Sequence, residues 1–381
     1  MSKGAVLAGT QTISEAAMTD KPLFTPGPLT TSASVKAAMQ HDLGSRDEAF
    51  LVKVREIRQR LLSIGQVSTA VGYEAVLMQG SGTFGLESVV GSAMEREGTL
   101  LVLVNGAYGT RLAHMSRVLG ITTEVLEWAP NEVVDVGVVD ALLRRRQDIT
   151  TVAVVHGETT AGIVNPVANL GRVVKSHGRR FLVDAMSSFG ALPLHLLDNG
   201  IDFLVSSANK CIEGVPGFTF ILCERTALLA CAGRARSLSL DLYAQWKGFE
   251  DSGQFRFTPP THALLAFHQA LLELEEEGGP SARLSRYHRV QQQIVAGMRR
   301  LGFRTYLPDE LQGPIITSFA YPTERPFVFE SFYKLLNERG FVIYPGKVAN
   351  VEGFRIGSIG RLSTADVNGL LSAVEAFQSL S

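Results

Sequence analysis

Cysteine is scarce in this chain, and long apolar runs and any excess of charge are missing. The three cysteines, Cys211, Cys223 and Cys231, are odd in number and show no CxxC spacing. That pattern argues against a disulfide framework or a structural zinc site and fits a reducing compartment. No stretch approaches the roughly 18 apolar residues of a membrane span, and the short apolar run at residues 5–9 does not amount to a signal segment. The expectation is a soluble, cytoplasmic protein with no membrane partner. Charge is balanced, with 36 basic and 37 acidic side chains for a formal net charge of −1. That balance gives no general drive toward nucleic acid, and no nucleic-acid partner is expected. Internal repeats and low-complexity segments are absent as well.

Glycine is the residue in excess, at 37 of 381 against a usual share of about 7%. A hydrophobic share of 45% and a charged share of 19% describe an ordinary globular chain, and the length suggests about two domains.

Residues 1–20 show no clear periodicity and read as a disordered leader. Residues 21–40 read as an N-terminal arm that packs with the C-terminal part, and its prolines Pro22, Pro26 and Pro28 keep it extended. A long helical pattern covers 48–64. From there β-rich runs at 75–79, 100–104, 123–126, 151–155, 181–183, 203–206 and 217–223 alternate with helical patterns at 86–94, 108–119, 136–146 and 167–177. That alternation predicts a mostly parallel seven-stranded α/β sheet with helices on both faces, in a large domain spanning 41–270. The link from Lys210 to Gly217 is too short for a helical crossover, so the last strand is expected to pair antiparallel. Helices at 262–277, 282–301, 329–339 and 364–380 mix with short strands at 303–306, 315–319, 341–344 and 353–356. This predicts a smaller α+β domain at 271–381.

Gly80-Ser81-Gly82-Thr83-Phe84-Gly85 follows a strand and opens a helix, a backbone suited to a phosphate. The acid that a dinucleotide site places at the end of the next strand is missing: Val104 is followed by Asn105-Gly106. His156-Gly157-Glu158 is half of a zinc-deaminase signature without its cysteine half. Ser207-Ala208-Asn209-Lys210 matches SxxK without its companion motifs. Asp184 ends an apolar strand, and Lys210 follows the next one 26 residues on, so a parallel sheet points both into one crevice. An acid that keeps a pyridinium nitrogen protonated and a lysine desolvated enough to be nucleophilic form the pair that pyridoxal phosphate requires. Tyr108 opens a helix where it is placed either to stack on a ring or to pack in the core. Arg355, in a short strand between Phe354 and Ile356, suits either a substrate anion or a structural salt bridge.

The chain resembles the 2-aminoethylphosphonate:pyruvate transaminases, within the small-chain branch of the fold-type I pyridoxal-phosphate enzymes. The matching stretches are 23–32, 79–83, 105–109, 158–160, 183–190, 206–212, 214–218, 236–246, 256–258 and 340–348. The most specific runs are Ser206-Ser207-Ala208-Asn209-Lys210-Cys211, the segment from Arg236 to Trp246, and the segment from Gly340 to Val348. The resemblance implies Lys210 as the Schiff-base lysine, Asp184 as the pyridinium partner, Tyr108 as the stacking ring and Thr160 as a hydrogen-bonding neighbour of the ring. It implies Ser81, Gly82 and Thr83 at the phosphate, with Thr258 contributed by the other subunit of a homodimer, and Arg355 at the substrate anion. Arg46 stands where the family pattern leads to a tryptophan followed by acids, which places an arginine near the substrate entrance. The implied activity is amino transfer from 2-aminoethylphosphonate to pyruvate. A serine- or alanine:glyoxylate-type aminotransferase is the nearer alternative, and a non-catalytic cofactor- or phosphonate-binding protein the more distant one.

Overall fold

The computed structural model describes residues 20–324, 326–348 and 351–380; the leader expected at 1–20 lies, but for Asp20, outside them. Helix α1 (Glu48–Ile64) forms where the sequence repeats apolar residues at three- and four-residue spacing. It buries Phe50, Val54, Ile57 and Leu61 on one face, and the Asp47 carboxylate caps its first turn through Ala49 N.

Seven strands then build the main sheet: β1 (Tyr73–Gln79), β2 (Thr99–Val104), β3 (Thr123–Glu127), β4 (Ile149–Val155), β5 (Arg180–Asp184), β6 (Phe203–Ser207) and β7 (Phe218–Glu224). Their spatial order is β1-β7-β6-β5-β4-β2-β3. The pairs from β6 across to β3 are parallel, and β7 runs antiparallel to both β1 and β6. Strand β2, Thr-Leu-Leu-Val-Leu-Val, is buried along its whole length, as a strand covered on both faces must be. The covering helices include α2 (Gly82–Ala93), α3 (Ala107–Val118), α4 (Val136–Arg145) and α5 (Val167–Ser176). Register aligns Val155 with Asp184 and Asp184 with Val205. The carboxyl ends of β4, β5 and β6 therefore open on one crevice, the usual ligand side of such a sheet.

Helices α6 (Thr261–Glu276) and α7 (Gly279–Arg300) lead to a three-stranded antiparallel sheet. It comprises β8 (Ile316–Ala320), β9 (Tyr344–Val348) and β10 (Val351–Gly357), with β10 in the centre, and helices α8 (Phe329–Glu338) and α9 (Thr364–Leu380) accompany it. The helix expected from residue 282 starts three residues earlier. Helix α7 already begins at Gly279 because proline fits a first helical turn.

The strand expected at 303–306 is reduced to a bridge between Thr305 and Phe319, with Tyr306 N donating to Ser318 O at 2.8 Å. The strand expected at 341–344 starts three residues later. Val342 is engaged elsewhere: its carbonyl accepts from Phe24 N at 2.9 Å, and its amide donates to Pro22 O at 3.3 Å.

A large apolar cluster joins the main sheet to its helices, from Val35 to Leu274. A second cluster, rich in phenylalanine, gathers residues between Val290 and Val374, and Phe24 of the N-terminal segment is buried in it. Among the described residues no helix is long and apolar enough to cross a membrane.

Candidate active site

At the carboxyl ends of β4, β5 and β6 lies a cavity of about 210 Å³, with Ser81, Gly82, Tyr108, Arg111, Asp184 and Lys210 among its walls. One wall is the start of α2. Gly80 turns the chain into it with φ +105°, where a Cβ would meet the Phe84 ring at 2.6 Å. The first turn carries no acid, and Ser81 makes no side-chain cap. Its leading amides and helix dipole are open to an anion on the side where Ser81, Gly82 and Thr83 line the cavity.

Asp184 ends β5 at 2% exposure and accepts one hydrogen bond, from Met186 N at 3.0 Å. Burial pushes its carboxyl up to about 7; the charge of Glu158 adds to the rise, and those of Lys210 and Arg111 oppose it. Lys210 is half-buried. Loss of hydration lowers its ammonium to about 8, and the nearby charge of Arg355 acts in the same direction. Its Nζ donates to the carbonyls of Pro26 at 2.8 Å and Gly27 at 3.2 Å. The amine therefore rests against the N-terminal segment, with no ion pair to Asp184.

Glu158, just beyond β4, organises the opposite wall. It is fully buried, and burial raises its carboxyl above the usual range although four donors gather on it. These are Thr160 Oγ1 at 2.6 Å, Thr160 N at 3.0 Å, Tyr108 N at 3.1 Å and Gly109 N at 3.4 Å. Thr160 Oγ1 in turn accepts from Ala107 N at 3.0 Å. Glu158 and Thr160 together hold the start of α3, and with it Tyr108, at the edge of the cavity. Gly106 permits this approach: a Cβ there would lie 2.4 Å from Glu158 Cγ and Cδ. His156 is a packed residue. Its Nδ1 meets Ser188 Oγ at 2.9 Å, and burial depresses its pKa to about 4.

Arg355 lies on β10 opposite Ser318 and Tyr344. Its guanidinium donates to Thr159 O and Pro345 O, both at 3.1 Å, and among the described residues it pairs with no carboxylate. The Cβ-free face of Gly346 gives it room, since a side chain there would stand 3.0 Å from Arg355 Cγ and Nε.

Four of the residues expected at the site do not line the cavity within the single chain: Thr160, which acts on its wall through Glu158, Arg355, Thr258 and Arg46. Thr258 is exposed, and its carbonyl accepts from Gln79 Nε2 at 3.2 Å, outside the cavity walls. Arg46 is exposed on the loop before α1 and lines no part of the cavity. Sequence reasoning missed Arg111, whose guanidinium stands 4.9 Å over the Tyr108 ring. It also missed the anchoring role of Glu158. The signal for Glu158 was an acid three residues past the apolar end of a strand, Val152-Ala153-Val154-Val155, obscured by its likeness to half a metal motif.

The class-V aminotransferase profile matches residues 29–364. A curated 2-aminoethylphosphonate–pyruvate transaminase of Salmonella schwarzengrund is 49% identical over 354 residues, which covers 92% of this chain and 96% of the relative. One of the same name from Klebsiella pneumoniae is 48% identical over 355 residues, covering 93% and 96%. Among solved structures, the ureidoglycine-glyoxylate aminotransferase of Bacillus subtilis superposes with a TM-score of 0.88 at 23% identity, covering 96% of this chain and 95% of its own. The alanine–glyoxylate aminotransferase of Nostoc sp. superposes with a TM-score of 0.87 at 24% identity, covering 95% and 96%. At that level of identity these two likenesses concern the fold alone.

Proposed function

The chain belongs to the class-V aminotransferase family, and from that premise we propose that it moves the amino group of 2-aminoethylphosphonate to pyruvate, giving phosphonoacetaldehyde and L-alanine. The substrate pair follows the name shared by relatives of nearly half identity. The observation that carries it in the structure is Arg355, a guanidinium near Lys210 with no carboxylate of its own.

Pyridoxal phosphate is the cofactor the family implies, and the cavity suits it. An uncapped helix start stands on one side, and a buried, otherwise unpaired aspartate and a desolvated lysine stand on the others. Ser81, Gly82 and Thr83 would hold the phosphate, Tyr108 would cover the ring, Thr160 would hydrogen-bond beside it, and Asp184 would hold the proton on the ring nitrogen. When bound, the cofactor supplies an electron sink for the carbanion next to the transferred nitrogen. Lys210 supplies the base. With its amine lowered to about 8, about a tenth of it is neutral at pH 7, far more than for an ordinary lysine, and Nζ can take the proton from the amine-bearing carbon and return it. Arg355 offers the same fork to the phosphonate of the donor and the carboxylate of pyruvate in turn.

The proposal extends to the assembly. Phe84, on the first turn of α2, and Phe257, whose carbonyl binds Gln79, are 49% and 44% exposed beside the site. A cytoplasmic homodimer that covers them would bring Thr258 of one subunit to the phosphate of the other. In the same reading residues 41–270 form the large cofactor-binding domain. Residues 271–381 form the smaller one, with the arm 21–40 packed on it, and Arg46 faces the substrate entrance.

Coupled alanine formation from 2-aminoethylphosphonate and pyruvate, with β-alanine and taurine as controls, tests the activity. Glyoxylate-dependent turnover without aminoethylphosphonate turnover would sink it.

A further inference from the structure

Behind the cavity, Glu213 follows Lys210 by three residues and adopts φ +66°, in the left-handed region that glycine enters freely and other residues seldom do. The neighbouring position, 214, is a glycine, yet the acid occupies the strained place. The carboxylate that this backbone presents is 2% exposed and collects the C-terminal part of the chain. Its Oε1 accepts from Tyr287 Oη at 2.7 Å and Arg286 Nη2 at 2.8 Å. Its Oε2 faces Arg361 Nε at 3.1 Å and Arg283 Nη1 at 3.6 Å. The same groups grip the backbone beside the lysine. Arg283 Nη1 and Tyr287 Oη donate to Cys211 O at 2.6 and 3.2 Å, and Glu213 N closes the turn onto Lys210 O at 2.7 Å.

A second route leads from this cluster to the lysine's other end. Arg361 N donates to Thr30 O at 2.8 Å, and its Nη2 donates to Glu273 Oε2 at 2.6 Å. Glu273 Oε1 accepts from Ser32 Oγ at 2.7 Å and Ser34 Oγ at 2.5 Å. The N-terminal segment fixed in this way is the one whose Pro26 and Gly27 carbonyls hold Lys210 Nζ. Glu277, held down to about 2 by Arg286 and Arg283 against the opposing effect of burial, keeps two of the arginines in place. Buried ion pairs of this kind are weak contributors to stability compared with apolar packing and are better suited to fixing one geometry.

We infer that Glu213 is a positioning residue for Lys210. Its carboxylate ties the turn at 210–213 to Arg283, Arg286 and Arg361, and so sets where the lysine amine stands against the cavity. The inference rests on Lys210 being the reacting lysine of the proposed aminotransferase.

The test is Glu213→Gln in the full chain, nearly isosteric but uncharged. Steady-state amino transfer is measured on the holoenzyme, and covalent capture of added pyridoxal phosphate on the chain freed of cofactor. The expected result is a kcat lowered about tenfold or more, with KM for pyruvate within about threefold of the parent. Capture should slow by a factor similar to the loss in kcat. Arg361→Gln, at a side chain that is one-third exposed, should show the same pattern to a lesser degree, and Arg361→Lys should recover part of it. A folded Glu213→Gln chain with kcat and capture within about twofold of the parent overturns the inference, as does a loss confined to KM. If Glu213→Gln fails to fold, the two Arg361 variants decide by the same criteria. Capture is read without substrate, so a parent chain that captures the cofactor but forms no alanine counts against the proposed substrates and leaves the positioning role to be judged by capture alone.

Discussion

The buried carboxyl of Asp184 ties the stability of the cofactor-free chain to pH in a direction that can be measured. In the unfolded chain it ionises near its ordinary 3.8, and in the folded chain near about 7, chiefly because of burial. The folded state therefore holds this proton more tightly. The group's contribution is most favourable below pH 3.8, declines as pH rises, and levels off above about 7. A shift of about three units at about 1.4 kcal/mol per unit makes the full decline about 4 kcal/mol. Asp184→Asn abolishes the ionisation and can keep the hydrogen bond from Met186 N. It leaves an amide NH₂ without an assigned partner, at a cost of about 1–3 kcal/mol. The variant is thus expected to be about 1–3 kcal/mol more stable than the parent at pH 8.5, with the advantage gone or reversed near pH 4. Urea unfolding of the cofactor-free chains at both pH values, followed by the fluorescence of Trp128 and Trp246, reads this difference. In the holoenzyme the same change should reduce alanine formation by about 100-fold or more if, as proposed, Asp184 holds the ring-nitrogen proton. A variant no more stable than the parent at pH 8.5, or a stability difference that does not vary with pH, would refute the reasoning.

Gly106→Ala would drive a methyl group into the Glu158 carboxylate and disturb its four hydrogen bonds; a loss of about 2–4 kcal/mol in unfolding free energy is expected, with weakened cofactor affinity. Equal cofactor affinity in a titration of the variant would contradict this account of the α3 start. Arg355→Met should raise KM for both 2-aminoethylphosphonate and pyruvate about 10- to 100-fold, the worth of a charge-assisted hydrogen bond, and Arg355→Lys should recover only part because it lacks the planar fork; an effect on one substrate alone would deny the shared role. If Lys210 is the proposed Schiff-base lysine, cofactor capture by the apo chain needs its neutral Nζ, so the rate should rise with pH and level off above about 8; a rate still climbing past pH 10 would show an ordinary, hydrated lysine.

Much of the main sheet was legible because its strands are buried on both faces and read as continuous apolar runs between glycine-rich turns. The antiparallel β7 was legible from the shortness of the link after Lys210. Helix α2 was placed four residues late, since Gly82 and Gly85 hide a helix whose reason for starting there is the turn at Gly80 and the crevice beside it. The late start of β9 was not legible: Val342 pairs with a segment more than 300 residues earlier, and local patterning carries no record of such a partner. Asp184 and Lys210 stood out because each is an ionisable residue at the end of an apolar strand. Glu213 did not, because beside Gly214 it looks like an ordinary turn acid; only its φ of +66° and its arginine partners set it apart.

The pairing of Leu23 with Val342, and of Phe24 with both Val342 and Gly357, bears on the order in which the protein is made. A chain emerging from the ribosome releases the Pro26–Gly27 carbonyls more than 300 residues before Val342 and Gly357, the residues that seat their segment. Contacts of such long sequence separation form late in folding. The main sheet, with Lys210 already on it, can therefore assemble while the lysine amine still lacks its resting place, and docking of the arm completes the site. In a stalled nascent chain ending before Val342, the bonds around residues 21–30 are expected to be cut readily by protease, and in the finished protein to be protected.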